Sequence, residues 1–416
     1  MSAETVNIAA LGAQGDGIAH TERGPVFVPF TLPGEQAAIA LEKSRGTLMA
    51  LKSHAPERVE PPCPHFGPDS PDGACGGCSL QHLRRDAYDS WKRQLVVDAL
   101  SAQGLDVDVE AIVPCRPGER RRVTLTARRT EKGLLLGYSQ ASSHTITPIR
   151  TCLIAAPAIA GRLDVLRKVA SAIAQGTKPF RLVVLASASG LDIAVSGIGK
   201  MPDRQRRSAI EIVLAETEVA RLTVEGEIVV EARRPVIHFG RVPIAPPPGA
   251  FVQASAFAED VMAELVATHL AGAKRAADLF AGCGTFTLRI AGQSAVHAVE
   301  SDRPALAALD AAFRSVQGLK PVTTERRDLF RSPLIGVDLK PYDAIVFDPP
   351  RAGAEAQSAE LARSKVDRIA AVSCNPLTLA RDLKLLVAGG YKIRTVTPID
   401  QFLWSPHVEA VALLER

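Results

Sequence analysis

No apolar run in this chain approaches the roughly 18 residues that a membrane-spanning helix needs. The first residues, MSAETVNIAALG, lack a basic segment followed by an apolar one, so no secretory signal is expected. These absences point to a cytoplasmic protein without a membrane partner, in a compartment where thiols stay reduced. Seven cysteines is an odd number, so complete disulfide pairing is excluded. Neither sign of charge dominates: 49 Lys and Arg against 45 Asp and Glu leave a net +4. No internal repeat is visible, and 416 residues suffice for two to four domains.

What is present is unevenly distributed. Arg116 to Lys132, RPGERRRVTLTARRTEK, holds seven basic and two acidic residues. A second basic cluster is Arg204, Arg206 and Arg207. Each run alone reads as a solvated face; two in one region suggest a surface for a polyanion. Cys63, Cys75 and Cys78 fall within sixteen residues rich in glycine and proline. Such thiols suit a metal site that lacks one ligand.

The chain divides by texture into four expected parts. Residues 1–58 alternate short β-rich runs with glycine turns, which fits a five-stranded barrel of the oligonucleotide-binding kind or a generic β-rich domain. Residues 59–94 form the cysteine segment. LRRDAYDSWKRQLVVDALSAQG reads as a helix ending near Gly104, with Leu95, Ala99 and Leu100 on one face. Residues 95–248 carry mostly short strands, plus a helical stretch around Ala155 to Ala174, and read as a central α+β domain. Residues 249–416 alternate strands with helices, which predicts a mostly parallel, doubly wound sheet and places ligands at its strand ends.

Within that last part, DLFAGCGTF puts Gly282 and Gly284 between a strand and a helix, where backbone approaches a ligand closely. Glu300 ends the next strand and can accept from ribose hydroxyls. The third glycine of the dinucleotide fingerprint is missing, which favours S-adenosylmethionine over NAD. Asp328, after the third strand, is placed to reach adenine or to cap a helix. AIVFDPPRAG sets Asp348 past a strand, before two stiffening prolines. RIAAVSCNPLTLARDL sets Cys374 between a strand and a helix entry, where the helix dipole is expected to favour thiolate. A thiolate suits addition to C6 of a pyrimidine, which makes C5 carbanionic; a base must later remove the C5 proton. Glu409, before the apolar final strand, is the candidate base.

SCNPLTLARDL, FDPPRAG, DLFAGCGTF and PHVEAVALL together resemble the RNA 5-methyluridine methyltransferases. CPHF followed by CGGCSLQH resembles the iron–sulfur branch of that family, whose members methylate uracil C5 in 23S ribosomal RNA. Residues 5–57, with LPGE at Leu32 to Glu35, resemble its TRAM domain, an RNA-binding barrel. The resemblance covers nearly the whole chain. It implies a Rossmann-like class I methyltransferase domain at the C-terminus.

It further implies Cys374 as nucleophile and Glu409 as base. Gln253, Phe280, Thr285, Glu300, Asp328 and Asp348 match cofactor-pocket positions, and Cys63, Cys75, Cys78 and Cys152 match the ligands of a [4Fe–4S] cluster. Four thiolates suit zinc as well; spacing alone leans to zinc and the resemblance reverses this. Cys115 competes as fourth ligand, and Cys283 reads as a packing residue. Three departures stand out: eleven residues between Cys63 and Cys75 instead of about five, Thr285 for a usual asparagine, and FLWSPHVE before the glutamate. In adenine-N6 methyltransferases an aromatic follows the two prolines; here it is Arg351, against an exocyclic-amine reaction. The resulting expectation is a monomeric 23S rRNA methyltransferase, with a T-arm tRNA methyltransferase and a non-catalytic ribosome assembly factor as alternatives.

Overall fold

The structure is a computed structural model and describes residues 3–141 and 143–416. Strands β1 (Ala3–Leu11), β2 (Gly17–Thr21), β3 (Gly24–Val28), β4 (Gln36–Glu42) and β5 (Arg45–Leu51) close into a barrel in the order β1-β2-β3-β5-β4. Its inward positions alternate with exposed ones, and Val6, Ile8, Val26, Val28 and Ile39 fill the interior. Glu35, the last residue of LPGE, is buried. Its carboxylate accepts from Leu32 N at 2.7 Å, Ala55 N at 3.2 Å and Arg58 Nη2 at 2.8 Å. Burial opposes its charge, but these donors hold the carboxyl below its ordinary range. The signature is thus a latch between the barrel and the chain that leaves it.

The cysteine segment has no regular element until α1 (Arg85–Ala102). Its long Cys63–Cys75 loop has a packing role. Phe66 stands edge-on to Phe30 of the barrel at 5.3 Å, while His65 Nε2 accepts from Arg150 N at 3.0 Å and Thr147 Oγ1 donates to Gly73 O at 3.3 Å. The added residues therefore join the barrel to the central domain.

That domain holds β6 (Arg122–Thr130), β7 (Gly133–Ser139), β8 (Ile146–Pro148), α2 (Pro157–Ala160), α3 (Leu163–Ile173), β9 (Phe180–Ser187), β10 (Gly190–Ser196), α4 (Asp203–Ala215), β11 (Val219–Val224) and β12 (Glu227–Glu231). The sheet order is β12-β11-β10-β9-β6-β7-β8, and α3 buries Leu166, Val169 and Ile173 against it. The helix expected around Ala155 to Ala174 is α2 and α3. A hairpin of β13 (Ile237–Phe239) and β14 (Val242–Ile244) leads onward.

The C-terminal layer comprises α5 (Ala256–His269), β15 (Arg275–Leu279), α6 (Thr287–Ile290), β16 (Ala295–Glu300), α7 (Arg303–Ser315), β17 (Val322–Arg326), α8 (Gly336–Leu339), β18 (Ala344–Phe347), α9 (Glu355–Ala362), β19 (Arg368–Ser373), α10 (Pro376–Ala388), β20 (Lys392–Ile399) and β21 (Glu409–Glu415). Sheet order is β17-β16-β15-β18-β19-β21-β20. Strands β15 to β19 run parallel, and β21 inserts antiparallel between β19 and β20. Strand β18, AIVF, is buried at every position, as a central parallel strand covered on both faces must be. Strand order reverses at β15, so the crevice between the C-terminal ends of β15 and β18 is the place for a ligand.

The expected split at residues 94 and 95 falls inside α1. Val96, Ala99 and Leu100 of this helix pack in the same core as Leu379 and Leu383 of α10. Val109 and Val113 pair with Val396 and Ile399 along β20. The stretch from α1 to Val113 thus belongs physically to the C-terminal layer, and the central domain is inserted after it. Leu95, expected on the buried face, is only half-buried; the fully buried stripe instead includes Tyr88 and Lys92. Among the described residues no helix is long and apolar enough to cross a membrane.

Candidate active site

A cleft of about 1520 Å³, open to solvent, lies at the strand ends where the sheet order reverses. One end is made by the turn after β15. Phe280 takes a positive φ of 62°, and Gly282 and Gly284 follow at 54° and 95°. A Cβ on Gly284 would lie 2.4 Å from Leu309 Cδ1, so only glycine lets the turn sit this close to α7. Glu300, closing β16, accepts from Gly282 N at 3.0 Å, Ser301 N at 2.6 Å and Asp302 N at 2.8 Å. Its carboxylate thereby fixes the glycine turn while lining the cleft. Asp328 lines the same end and accepts from Phe330 N at 3.0 Å, and the Phe330 ring meets Phe280 at 5.4 Å.

The other end gathers side chains from distant parts of the chain. Cys374 follows β19, and Asn375 caps α10 by accepting from Leu377 N at 3.2 Å. Asn375 Nδ2 and Thr378 Oγ1 both donate to Arg351 O, at 3.0 and 3.3 Å, which ties the Asp-Pro-Pro-Arg loop to the thiol. Glu409, at the start of β21, is 2% exposed. Gln401 Nε2 donates to Glu409 Oε2 at 2.8 Å and to Gln253 Oε1 at 2.9 Å; Gln253 Nε2 donates to Asp348 Oδ2 at 2.9 Å. A continuous amide chain therefore links the two carboxylates. Phe402 and His407 complete this end. Arg351 Nη2 faces His407 Nδ1 at 3.3 Å, and the Arg120 guanidinium stands 5.6 Å from the Phe402 ring centre.

The electrostatics correct one expectation. Burial, followed by the negative fields of Glu409 and Asp348, pushes the Cys374 thiol up to about 12, with Arg351 opposing. Burial and the two carboxyls thus work against the expected thiolate, and Arg351 works for it. Burial pushes Asp348 up to about 7 against its bond from Gln253. Burial and then Asp348 raise Glu409 as well. Two neighbouring buried carboxyls resist ionising together. His407 is held neutral by burial and by the positive charges of Arg351, Lys92 and Arg120.

Comparison with known proteins places the chain in a family. Residues 213–416 match the tRNA (Uracil-5-)-methyltransferase family model, and residues 2–48 match the TRAM domain. An RNA methyltransferase of Rhizobium meliloti is 59% identical over the full length of both chains. The chain belongs to the RNA (uracil-5-)-methyltransferase family. This methyltransferase is also 56% identical to an RNA methyltransferase of Agrobacterium fabrum over the full length of both. It is 29% identical to the 23S rRNA (uracil(1939)-C(5))-methyltransferase RlmD of Pectobacterium atrosepticum, over 98% of this chain and 93% of the relative. Its fold matches that of Pyrococcus abyssi tRNA (uracil-54, C5)-methyltransferase in complex with S-adenosyl-L-homocysteine, with a TM-score of 0.76, 22% identity and 99% of each chain covered. The protein is thus an RNA methyltransferase.

Of the methyltransferase's expected site residues, Gln253, Phe280, Glu300, Asp328, Asp348, Cys374 and Glu409 line this one cleft. Thr285 does not: it is half-buried on the turn, with its carbonyl accepting from Arg289 Nη1 at 3.0 Å. Arg121, expected on a polyanion-facing run, is buried; it pairs with Glu259 and its Nε donates to Gln253 O at 3.1 Å. Gln401 was not foreseen, and nothing local marks it.

Cys63, Cys75, Cys78 and Cys152 line a separate, mostly apolar pocket, beside Tyr138 and Gln81. Cys115 lies elsewhere, in the core under α5, and Cys283 is packed at 3% exposure. Gly77 N donates to Cys75 Sγ at 3.5 Å and Tyr138 Oη lies 3.8 Å from Cys152 Sγ. Burial pushes Cys75 up to about 11 and also raises Cys63 and Cys78, with the neighbouring thiols adding to each. Among the described residues, no group of three or more His, Cys, Asp or Glu side chains is arranged to hold a single metal ion.

Proposed function

We propose that this enzyme methylates C5 of a flipped-out uridine in 23S ribosomal RNA, with Cys374 as nucleophile and Glu409 as base. The observation that carries the reading is that Cys374 and Glu409, from two different strand ends, share one cleft with Glu300 and Asp328. Phe280, Glu300 and Asp328 would hold the nucleoside part of S-adenosylmethionine, and Gln253 and Asp348 its amino-acid part. The cofactor supplies an electrophilic methyl group on a sulfonium.

Uridine enters at the Phe402–His407 end after leaving its stack. Cys374 loses its proton to water in the open cleft, which leaves Glu409 free as a base, and Sγ bonds to C6 as the C5–C6 double bond opens. C5 then takes the methyl group. Glu409 removes the remaining C5 proton, the double bond re-forms and the C6–Sγ bond breaks. Gln401 orients Glu409 through its 2.8 Å bond. Arg351 offers positive charge beside the developing enolate oxygen.

The 29% relative supports ribosomal RNA as substrate. Mapping 5-methyluridine in rRNA and tRNA from a strain lacking this gene tests it. Loss from 23S rRNA alone is expected, and loss from the T arm of tRNA contradicts it.

The four-thiol cavity would hold a [4Fe–4S] cluster through Cys63, Cys75, Cys78 and Cys152. Ligation would offset the cost of burying these four thiols, which line one pocket. Its contribution would be structural, since no step above moves an electron. Protein purified without oxygen should be brown; colourless protein with stoichiometric zinc contradicts the assignment.

A further inference from the structure

The loop between β20 and β21, residues 400–408, carries Phe402 and His407 into the cleft and ends at Glu409. Beyond the Gln401 bonds, its anchors come from outside the C-terminal part of the chain. Asp400, fully buried, is paired with the equally buried Lys92 and accepts from Tyr88 Oη at 2.8 Å. Lys92 Nζ also donates to Phe402 O at 2.9 Å. Trp404 N donates to Tyr88 Oη at 2.7 Å, so this hydroxyl both donates and accepts. Trp404 O accepts from Ser79 N at 2.7 Å and Leu80 N at 3.2 Å. Ser79 directly follows Cys78.

Trp404 has a φ of 57°, a left-handed conformation that a bulky residue keeps only when its surroundings over-determine it. Here the surroundings are Tyr88 on its N–H, the cysteine segment on its carbonyl, and a core of Leu80, Leu83 and Tyr88 beside its ring. By contrast, Phe280, Glu300 and Asp328 are held by the strand ends and turns of the C-terminal sheet.

We propose that Tyr88 and Lys92 are positioning residues for the uridine end of the cleft, and that Ser79 and Leu80 transmit the order of the cysteine segment to Phe402 and His407 through Trp404. RNA binding then depends on the cysteine segment, and the hold on the nucleoside part of the cofactor at Phe280, Glu300 and Asp328 does not. The inference rests on the reading that Phe402 and His407 receive the uridine.

The test uses Tyr88→Phe, which removes only the hydroxyl, in full-length protein. Three quantities are measured: KM for an RNA substrate, Kd for S-adenosylmethionine, and tryptophan emission in a Trp91→Phe background. The chain has two tryptophans, so that background reports Trp404 alone. Loss of a buried bond of this kind should raise the RNA KM about tenfold, leave the cofactor Kd within about twofold, and shift Trp404 emission to the red. An unchanged RNA KM, an unchanged emission, or a cofactor Kd that rises in step with KM overturns the proposal. If Tyr88→Phe does not fold, Lys92→Met with Asp400→Asn replaces it, a neutral pair that leaves no buried charge unpaired. If the wild-type enzyme methylates no uridine, the functional reading fails, while RNA affinity, emission and cofactor binding still judge the strap.

Discussion

At one end of the cleft, Phe280, Glu300 and Asp328 stand on successive strand ends of a single sheet, and the turn that joins them is bonded to itself through Glu300. At the other, Cys374, Gln253 and the adjoining His407 and Glu409 come from three segments, with Gln401 joining Glu409 to Gln253 and α1 holding the loop from behind. The first end is assembled by local chain geometry. The second exists only when the cysteine segment, the central domain and the C-terminal sheet are all docked. Binding of a small cofactor can therefore survive damage that abolishes recognition of a large RNA.

Substitutions at the thiol end should have the largest effects. Cys374→Ala removes the covalent step and should lower methyl transfer to RNA by at least about 10⁴-fold, with cofactor affinity unchanged by calorimetry. Near-normal turnover would mean that the chemistry lies elsewhere. Glu409→Gln should lower turnover by roughly 10²–10⁴-fold, yet still attack the base, so that a protein–RNA adduct accumulates on a denaturing gel. No adduct with this variant would place the proton removal on another group.

The cofactor end should respond more mildly and separately. Glu300→Gln removes a charged acceptor and should raise the S-adenosylmethionine Kd about tenfold while leaving RNA affinity unchanged. Parallel losses in both ligands would erase the distinction between the ends. The smallest expected effect is on the cofactor-free protein. Asp348 is raised from an ordinary 3.8 to about 7, so its contribution to stability is present in acid and lost as pH rises from about 4 to about 7. Asp348→Asn should flatten that decline in thermal unfolding measured across this range. An equally steep decline in the variant would assign it to other groups.

The same contrast governs what could be read from the sequence. The glycine turn and Glu300 were legible because a strand, a turn and the next strand end lie within about twenty residues, where each local rule applies. Cys374 was legible as a thiol at a helix entry, but its protonation state was not. That depends on burial and on Asp348 and Glu409, which sequence does not place. Glu409 was reached by resemblance. Lys92 and Asp400 were missed because they are 308 positions apart and lysine on a helix normally marks the solvent face. Arg121 was misjudged for the same reason: within a basic run nothing distinguishes a strut bonded to Gln253 from a phosphate ligand. The length of the Cys63–Cys75 loop has no local explanation, because its Phe66 packs on Phe30 in the distant barrel.

The central claim is that Cys374 attacks a uridine C6 and that a C5 proton must later leave. An RNA carrying 5-fluorouridine at the target position, incubated with enzyme and S-adenosylmethionine, tests it directly, because fluorine cannot depart as a proton. A stable covalent complex is predicted, with the modified nucleotide on the peptide that contains Cys374 by mass spectrometry. Release of free methylated RNA without an adduct, or attachment at another residue, would contradict the account.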